Sequence, residues 1–150
     1  MDEFLEDAAE ELKRVDHLIY VSLKYTRTVD VFKHIIGRLI ECFDAVINGL
    51  CQKAKDRKKL LAIPLSQTLK TEALKTLYAK DEMFVGYMDF YLLLRKLDKA
   101  EYTKKNEYRR HVTMTAIFPE GETAEVTMDI IHGYFDRAKE FLKYVIENIS

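Results

Sequence analysis

Apolar residues recur every three or four positions along most of the chain, which is the spacing of one face of an α-helix. This spacing predicts four long helices, near residues 2–25, 28–56, 66–97 and 128–148. The second is the clearest, because its apolar stripe is unbroken and consists of Phe32, Ile36, Leu39, Phe43, Val46 and Leu50. Four amphipathic helices with mostly short connections predict an all-α fold, an antiparallel four-helix bundle, in a single domain over residues 1–150.

Three places in this pattern leave the course of the chain open. Thr26 and Thr28 are suited to cap the second helix, although the first two helices also fit one kinked helix. The third helix allows a bend near residues 80–81. The stretch 99–128 is the least regular, and its β-branched residues around a Pro-Glu-Gly turn predict either a short β-hairpin or a loop without strands.

Composition agrees with a helical domain and limits its partners. Hydrophobic residues make up 48% of the chain, which excludes a disordered protein. The 24 basic and 25 acidic side chains give a net charge of −1, so contact with nucleic acid requires a local basic patch. The acidic start and the absence of a long apolar run predict a cytoplasmic protein without a membrane partner. The scarcity of Asn and Gln beside abundant Lys and Glu is typical of a thermophilic source.

Several enzyme classes need motifs that the sequence does not contain. The five glycines are isolated, so neither a P-loop nor a dinucleotide-binding turn can form. The sequence has no Cys-x-x-Cys pair and no His-Glu-x-x-His motif that could supply zinc ligands. A di-iron bundle requires two Glu-x-x-His motifs, and the chain has a single related turn, from Asp129 to His132. We therefore predict no metal and no cofactor. Cys42 and Cys51 are expected to be buried free thiols.

The stretch 104–111, KKNEYRRH, carries a cluster of positive charge. Four bases against one acid, Glu107, give a net charge of +3. Tyr108 is an aromatic neighbour to these bases, and the group suits an anionic ligand such as a nucleotide or RNA. The predicted ligand-binding residues are Lys104, Lys105, Arg109, Arg110 and His111. They reach the start of the last helix if the intervening hairpin folds back. The alternative is a charged loop that only keeps the protein soluble.

A second candidate face follows from polar residues on the predicted second helix. They succeed each other in steps of three or four, and they are Lys24, Arg27, Asp30, His34 and Arg38. In a helix Asp30 stands between Arg27 and His34, so it can orient the imidazole while the guanidiniums meet a phosphate. A solvated face with ion pairs between neighbouring turns explains the same residues. Both interpretations fit the sequence.

The run from Met83 to Leu94, MFVGYMDFYLLL, is apolar almost all the way round a helix. A helix with no polar face is buried on every side, whereas a helix in a bundle normally has one side in water. The run therefore predicts a partner surface, most simply that of a homodimer. Asp89, inside the run, is expected to be a paired structural residue.

The order of these features resembles the HEPN family (higher eukaryotes and prokaryotes nucleotide-binding). An acidic first helix is followed by a long second helix that ends in bases, a third helix, a basic loop with Arg and His, and a last helix. The closing segment 134–149, YFDRAKEFLKYVIENI, is the most similar stretch, and the resemblance covers most of the chain. It implies a dimeric helical bundle that binds nucleotide or RNA and that acts with a small nucleotidyltransferase.

The ribonuclease members of that family carry an Arg, four to six residues and then a His near the last helices. Here Arg110 and His111 are adjacent, whereas Arg27 and His34 have six residues between them but lie on the predicted second helix. The resemblance therefore favours a non-catalytic binding protein over an enzyme. A metal-independent endoribonuclease and an all-α interaction protein without ligand chemistry are the alternatives.

Overall fold

The computed structural model describes residues 2–149 and places most of them in helices. The helical elements are α1 (Glu3–His17), a π-helical turn (Leu18–Ser22), α2 (Leu23–Tyr25), α3 (Val29–Asp56), α4 (Gln67–Leu77), α5 (Glu82–Lys99) and α6 (Met128–Asn148). Three strands separate α5 from α6, namely β1 (Glu101–Lys105), β2 (Thr113–Ile117) and β3 (Thr123–Val126).

Side chains that accept a backbone hydrogen bond mark the starts of four helices. Thr28 caps α3, Ser66 caps α4, Asp81 caps α5 and Thr127 caps α6, each by accepting from the N–H three residues later. That N–H has no acceptor within its own helix, so each cap satisfies it. Because Thr28 is extended, the chain does not continue from α2 into α3 as one kinked helix.

Contacts between distant residues show how the long helices run. Each contact joins the start of one helix to the end of its neighbour, and the pairs are Asp2–Lys53 (2.6 Å), Lys33–Asp98 (3.6 Å) and Asp81–Tyr144 (2.7 Å). The helices α1, α3, α5 and α6 therefore alternate in direction, which is the antiparallel arrangement that the sequence predicts. The short helix α4 lies against α3 and α5.

Aromatic rings fill the centre of this bundle. Phe43 of α3 stacks on Phe141 of α6 with ring centroids 4.2 Å apart, and Tyr91 of α5 lies 5.8 Å from the same Phe43 ring. Cys42 and Cys51 are buried and free, as predicted. Burial raises the pKa of the Cys42 thiol to about 12, so this thiol stays protonated and packs as an apolar group.

The prediction of one helix over residues 66–97 is wrong, because two helices occupy this stretch. α4 ends at Leu77, and Asp81 begins α5 by accepting a hydrogen bond from the N–H of Phe84 at 3.0 Å. The same carboxylate accepts from the hydroxyl of Tyr144. The break thus falls at the bend that the sequence allows near residues 80–81, where an Asp side chain competes with the helix for backbone N–H groups.

The sheet makes the all-α prediction wrong in part. The strands are antiparallel in the order β1-β2-β3. β2 and β3 form a hairpin, one of the two structures predicted for this stretch, around Gly121, whose φ of 93° suits glycine. β1 pairs with β2 from Glu101 opposite Ile117 to Lys105 opposite Thr113. The sheet lies at the end of the bundle where α3 and α6 begin, since Lys104 of β1 pairs with Asp30 of α3.

The apolar run of α5 is covered largely by its own chain. Tyr87 and Phe90 are buried, Tyr87 against the ring of Phe141 and Phe90 against that of Tyr134, both on α6. The expectation for Asp89 is confirmed, because its carboxylate pairs with the ammonium group of a lysine on α4 at 2.6 Å.

Two apolar residues of this helix remain exposed, namely Met83 at 55% and Leu93 at 36%. Any second copy that contacts α5 meets these residues first. The homodimer stays a prediction.

Tyr91 supplies a pH-dependent contribution to stability. Its hydroxyl donates to the carboxylate of Asp44, and burial together with this carboxylate raises the pKa of Tyr91 from 10.0 to about 12. A raised pKa means that the folded protein holds the proton more tightly, so the contribution is complete below pH about 10 and is lost as pH rises towards about 12.

We therefore expect the free energy of unfolding to fall between these pH values, measured by urea titration at successive pH. Tyr91→Phe has no proton to lose and should show a smaller fall. An identical pH dependence in the variant would contradict this origin.

Candidate anion-binding site

The predicted basic cluster lies at the end of β1 and in the loop that joins β1 to β2. Asn106 and Tyr108 have left-handed backbone conformations, with φ of 57° and 65°. The N–H of Arg109 bonds to the carbonyl of Asn106 at 3.2 Å, and the N–H of Val112 bonds to that of Arg109 at 3.1 Å. These turns hold residues 106–112 in a compact loop.

Two hydrogen bonds attach this loop to the start of α3. The N–H of Tyr108 donates to the carbonyl of Arg27 at 2.7 Å, and the N–H of Val29 donates to Oε2 of Glu107 at 2.9 Å. The Glu107 carboxylate therefore occupies the N-terminus of α3, where the helix dipole favours negative charge. The acid within the basic cluster thus positions the loop.

Within residues 2–149, Lys104 is the one predicted ligand residue whose side chain has a side-chain partner. Its ammonium group lies 3.4 Å from Asp30 and 3.9 Å from Glu107. The charge of Asp30, followed by the hydrogen bond to it, raises the pKa of Lys104. The other four predicted residues are exposed and have no side-chain partner within residues 2–149, and they are Lys105, Arg109, Arg110 and His111.

Arg110 and His111 reach the start of α6. Together with Thr113 and residues 127–129 they line a cavity of about 440 Å³. Oγ1 of Thr127 accepts from the N–H of the residue three positions later, whereas helix geometry leaves the first N–H groups of α6 without an acceptor inside the helix. The hairpin of β2 and β3 therefore brings the basic loop to a helix N-terminus, as the binding interpretation requires.

The cavity has mixed charge, with one guanidinium and one carboxylate among its lining side chains. A guanidinium, an imidazole and the positive end of a helix attract an oxyanion, and the carboxylate of Asp129 opposes it. Arg109 is the chain neighbour of Arg110, and Lys105 ends β1 where the same loop begins, so further phosphates of a longer ligand would meet them. This arrangement suits phosphate groups of a nucleotide or of RNA.

The second candidate face is divided between two places. Arg27 precedes α3, so the prediction that it belongs to the second helix is wrong, because Thr28 is the capping residue. The Nε atom of Arg27 is buried without a hydrogen-bond partner in the described part of the chain. Asp30 pairs with Lys104 at the end of β1. Within residues 2–149 it forms no hydrogen bond with His34, so it does not orient that imidazole as the sequence predicts.

His34 and Arg38 instead face α1 across a groove of about 340 Å³. Its lining residues are Glu10, Lys13, Arg14, His17, Leu18, His34 and Arg38. Both guanidiniums are anchored by the carboxylate of Glu11, at 2.6 Å from Arg14 and 3.4 Å from Arg38. Neither imidazole has a hydrogen-bond partner within residues 2–149, so both are free to meet a ligand.

The residues that α1 contributes to this groove are absent from the sequence-based candidates. Arg14 and His17 lie one turn apart on α1 and join His34 only because α1 and α3 pack antiparallel. The groove ends at the π-helical turn, a feature that often occurs at functional sites. The ring of Tyr20 in that turn packs edge to face against the ring of His132 on α6, with the ring centroids 5.9 Å apart.

Comparison with protein-family models, with curated proteins and with solved structures finds no match to this chain. Within residues 2–149, no group of three or more His, Cys, Asp or Glu side chains could hold a metal ion. In the same residues no helix is long and apolar enough to cross a membrane. The candidate functional sites are therefore two basic surfaces, the loop of residues 104–111 with the start of α6 and the groove between α1 and α3.

Proposed function

We propose that this chain is a cytoplasmic HEPN-like protein that binds nucleotide or RNA through its phosphate groups. The site comprises the loop of residues 104–111 and the start of α6, with Lys105, Arg109, Arg110 and His111 as the ligand-binding residues. We further propose that the protein acts as a homodimer, beside a small nucleotidyltransferase. These two parts follow from the resemblance in the order of features along the chain.

One observation carries the binding proposal: Arg110 and His111 line the same cavity as the first residues of α6. A guanidinium offers paired donors to a phosphate, and the helix N-terminus adds backbone donors and a positive dipole. The loop is held in place by Glu107 before any ligand arrives, so little ordering entropy is lost on binding. Lys104 contributes by holding the loop, since Asp30 already engages its charge.

Amide chemical shifts in an isotope-labelled sample test the location of this site. Titration with a short single-stranded oligouridylate should shift the amide resonances of Arg110, His111, Met128 and Asp129 first, because these groups surround the cavity. Uridine, which lacks phosphate, is the matched control ligand and should leave them unchanged. Shifts confined to α1 and α3, or identical shifts with uridine, would contradict the proposed site.

A second function is favoured by the groove between α1 and α3. His17 and His34 come from different helices and line this groove with two guanidiniums. One imidazole can accept a proton while the other donates one, which is one requirement for metal-independent cleavage of RNA. The second candidate is therefore a metal-independent endoribonuclease, with a histidine pair in place of the Arg-to-His spacing of the HEPN ribonucleases.

Incubation of labelled RNA with the protein in the presence of EDTA separates the two functions. If the groove is catalytic, fragments accumulate with wild type and are lost in His34→Ala, whereas Lys143→Ala, at an exposed base of α6, leaves cleavage unchanged. If the protein only binds, the RNA stays intact with all three proteins, and the endoribonuclease is rejected.

A further inference from the structure

Leu61 and Leu65, in the connection from α3 to α4, are the most exposed large apolar side chains of residues 2–149. Their relative exposures are 102% and 99%, so each is as open to water as in an extended peptide. Single, partly covered apolar side chains are ordinary on protein surfaces. Two fully exposed leucines four residues apart are not, and they indicate a surface that a partner covers.

The connection is held so that these leucines project outwards. Leu60 and Ile63, on either side of Leu61, are partly buried against the core. The N–H groups of Lys59 and Leu60 both bond to the carbonyl of Ala54 in the last turn of α3, at 2.7 and 3.3 Å. The backbone next to Leu61 is therefore anchored to α3 and to the core, while the Leu61 side chain is exposed.

A run of positive charge precedes the leucines directly. The exposed bases are Lys55, Arg57, Lys58 and Lys59, and within residues 2–149 none of them has an ion-pair partner. The one acid of the run, Asp56, accepts a hydrogen bond from Gln52 at 2.9 Å. The nearby Asp2 is paired with Lys53 at 2.6 Å, so the surface around the leucines keeps a positive balance.

We propose that this connection docks the protein on an anionic lipid bilayer. Leu61 and Leu65 enter the boundary between head groups and acyl chains, and the four bases contact the negative head groups. A protein partner would need a pocket that is complementary in shape to the two protruding leucines. A fluid bilayer needs no such pocket, because its lipids rearrange around inserted side chains. This proposal departs from the prediction of no membrane partner, which followed from the lack of an apolar run long enough to span a bilayer. Docking on a bilayer surface needs no such run.

The docking element and the proposed phosphate site lie at opposite ends of the bundle. α3 has 28 residues and begins beside the basic loop, so its far end is about 42 Å away. Lipid contact therefore leaves Arg110 and His111 open to ligand. The two proposals stand on different residues, and either can fail without the other.

Co-sedimentation with vesicles tests the proposal. Wild type should bind vesicles of equal parts phosphatidylcholine and phosphatidylglycerol and should not bind pure phosphatidylcholine. Leu61→Ser with Leu65→Ser should weaken binding about tenfold per leucine, because each loses apolar burial. Lys58→Gln with Lys59→Gln should weaken it about fivefold per base at low salt.

Matched variants separate docking from general effects. Leu93→Ser removes a partly exposed leucine of α5, and Lys96→Gln with Lys99→Gln removes two exposed bases at the other end of the bundle. Both variants should bind as wild type does. Circular dichroism verifies that each variant is folded. Wild type that does not bind the anionic vesicles, or serine variants that bind equally well, would overturn the proposal. Loss of self-association in the serine variants, without any vesicle binding, would assign the leucines to a second copy instead.

Discussion

Glu107→Ala is expected to weaken RNA binding about tenfold, although it removes a negative charge from a basic loop. In the folded protein this carboxylate accepts the N–H of Val29 at 2.9 Å and so fastens the loop to α3. Without it, the hydrogen bond from Tyr108 to Arg27 and the ion pair of Lys104 with Asp30 are the remaining contacts of the loop with this end of α3. The loop is then held less firmly, and part of the ordering of Arg110 takes place when the ligand binds. Fluorescence anisotropy with a labelled oligouridylate measures the change.

The direction of the change in affinity distinguishes two roles of Glu107, holding the loop in position and repelling the ligand by its charge. If Glu107 acted only through its charge, its removal would strengthen binding of a polyanion. Glu107→Gln keeps an acceptor oxygen for Val29 and should restore most of the affinity. Glu120→Ala removes an equal charge from the turn between β2 and β3 and should not weaken binding. Tighter binding by Glu107→Ala than by wild type would contradict the positioning role.

The same substitution should lower stability. A hydrogen bond to a charged acceptor contributes about 1.5–3 kcal/mol, and Glu107 is partly buried, so we expect the free energy of unfolding to fall by about 1–2 kcal/mol. Binding is therefore measured well below the unfolding transition of the variant.

Helices with a regular apolar stripe were predictable from the sequence. The observed α3 and α6 begin and end within one residue of the predicted ranges, because each buries one continuous face and starts at a threonine cap. The break between α4 and α5 was only partly predictable, because the apolar spacing continues across it. The break is set by Asp81, which accepts hydrogen bonds from the N–H of Phe84 and from the hydroxyl of Tyr144. The contact with Tyr144 forms only in the folded structure.

The strand β1 could not be predicted from its own residues. Its sequence EYTKK has three charges, and Tyr102 alone is partly buried, so the apolar alternation that indicates a strand is missing. The strand exists because its backbone pairs with β2, whose side chains Met114 and Ala116 are buried. Pairing of this kind depends on tertiary structure and overrides local propensity.

The candidate site was predictable in its charges but not in its architecture. The bases of residues 104–111 are evident as a run in the sequence, and a hairpin after them was one of the two structures that the sequence predicts. The use of Glu107 as a carboxylate at the N-terminus of α3 is not, because Glu107 and Val29 lie 78 residues apart in the chain. The groove that joins His17 to His34 depends in the same way on helix packing.

Salt dependence of RNA binding by Arg109→Ala with Arg110→Ala decides whether these guanidiniums meet phosphates. Each phosphate that a protein neutralises on a single strand contributes about 0.7 to the slope of log affinity against log salt, so the slope should become shallower by about 1.4. At low salt the affinity should fall about tenfold per arginine, with the fold intact by circular dichroism. Lys80→Ala with Lys143→Ala removes two exposed bases at the far end of the bundle and should keep the wild-type slope. Unchanged slope and affinity in the arginine variant would contradict the phosphate site at the start of α6.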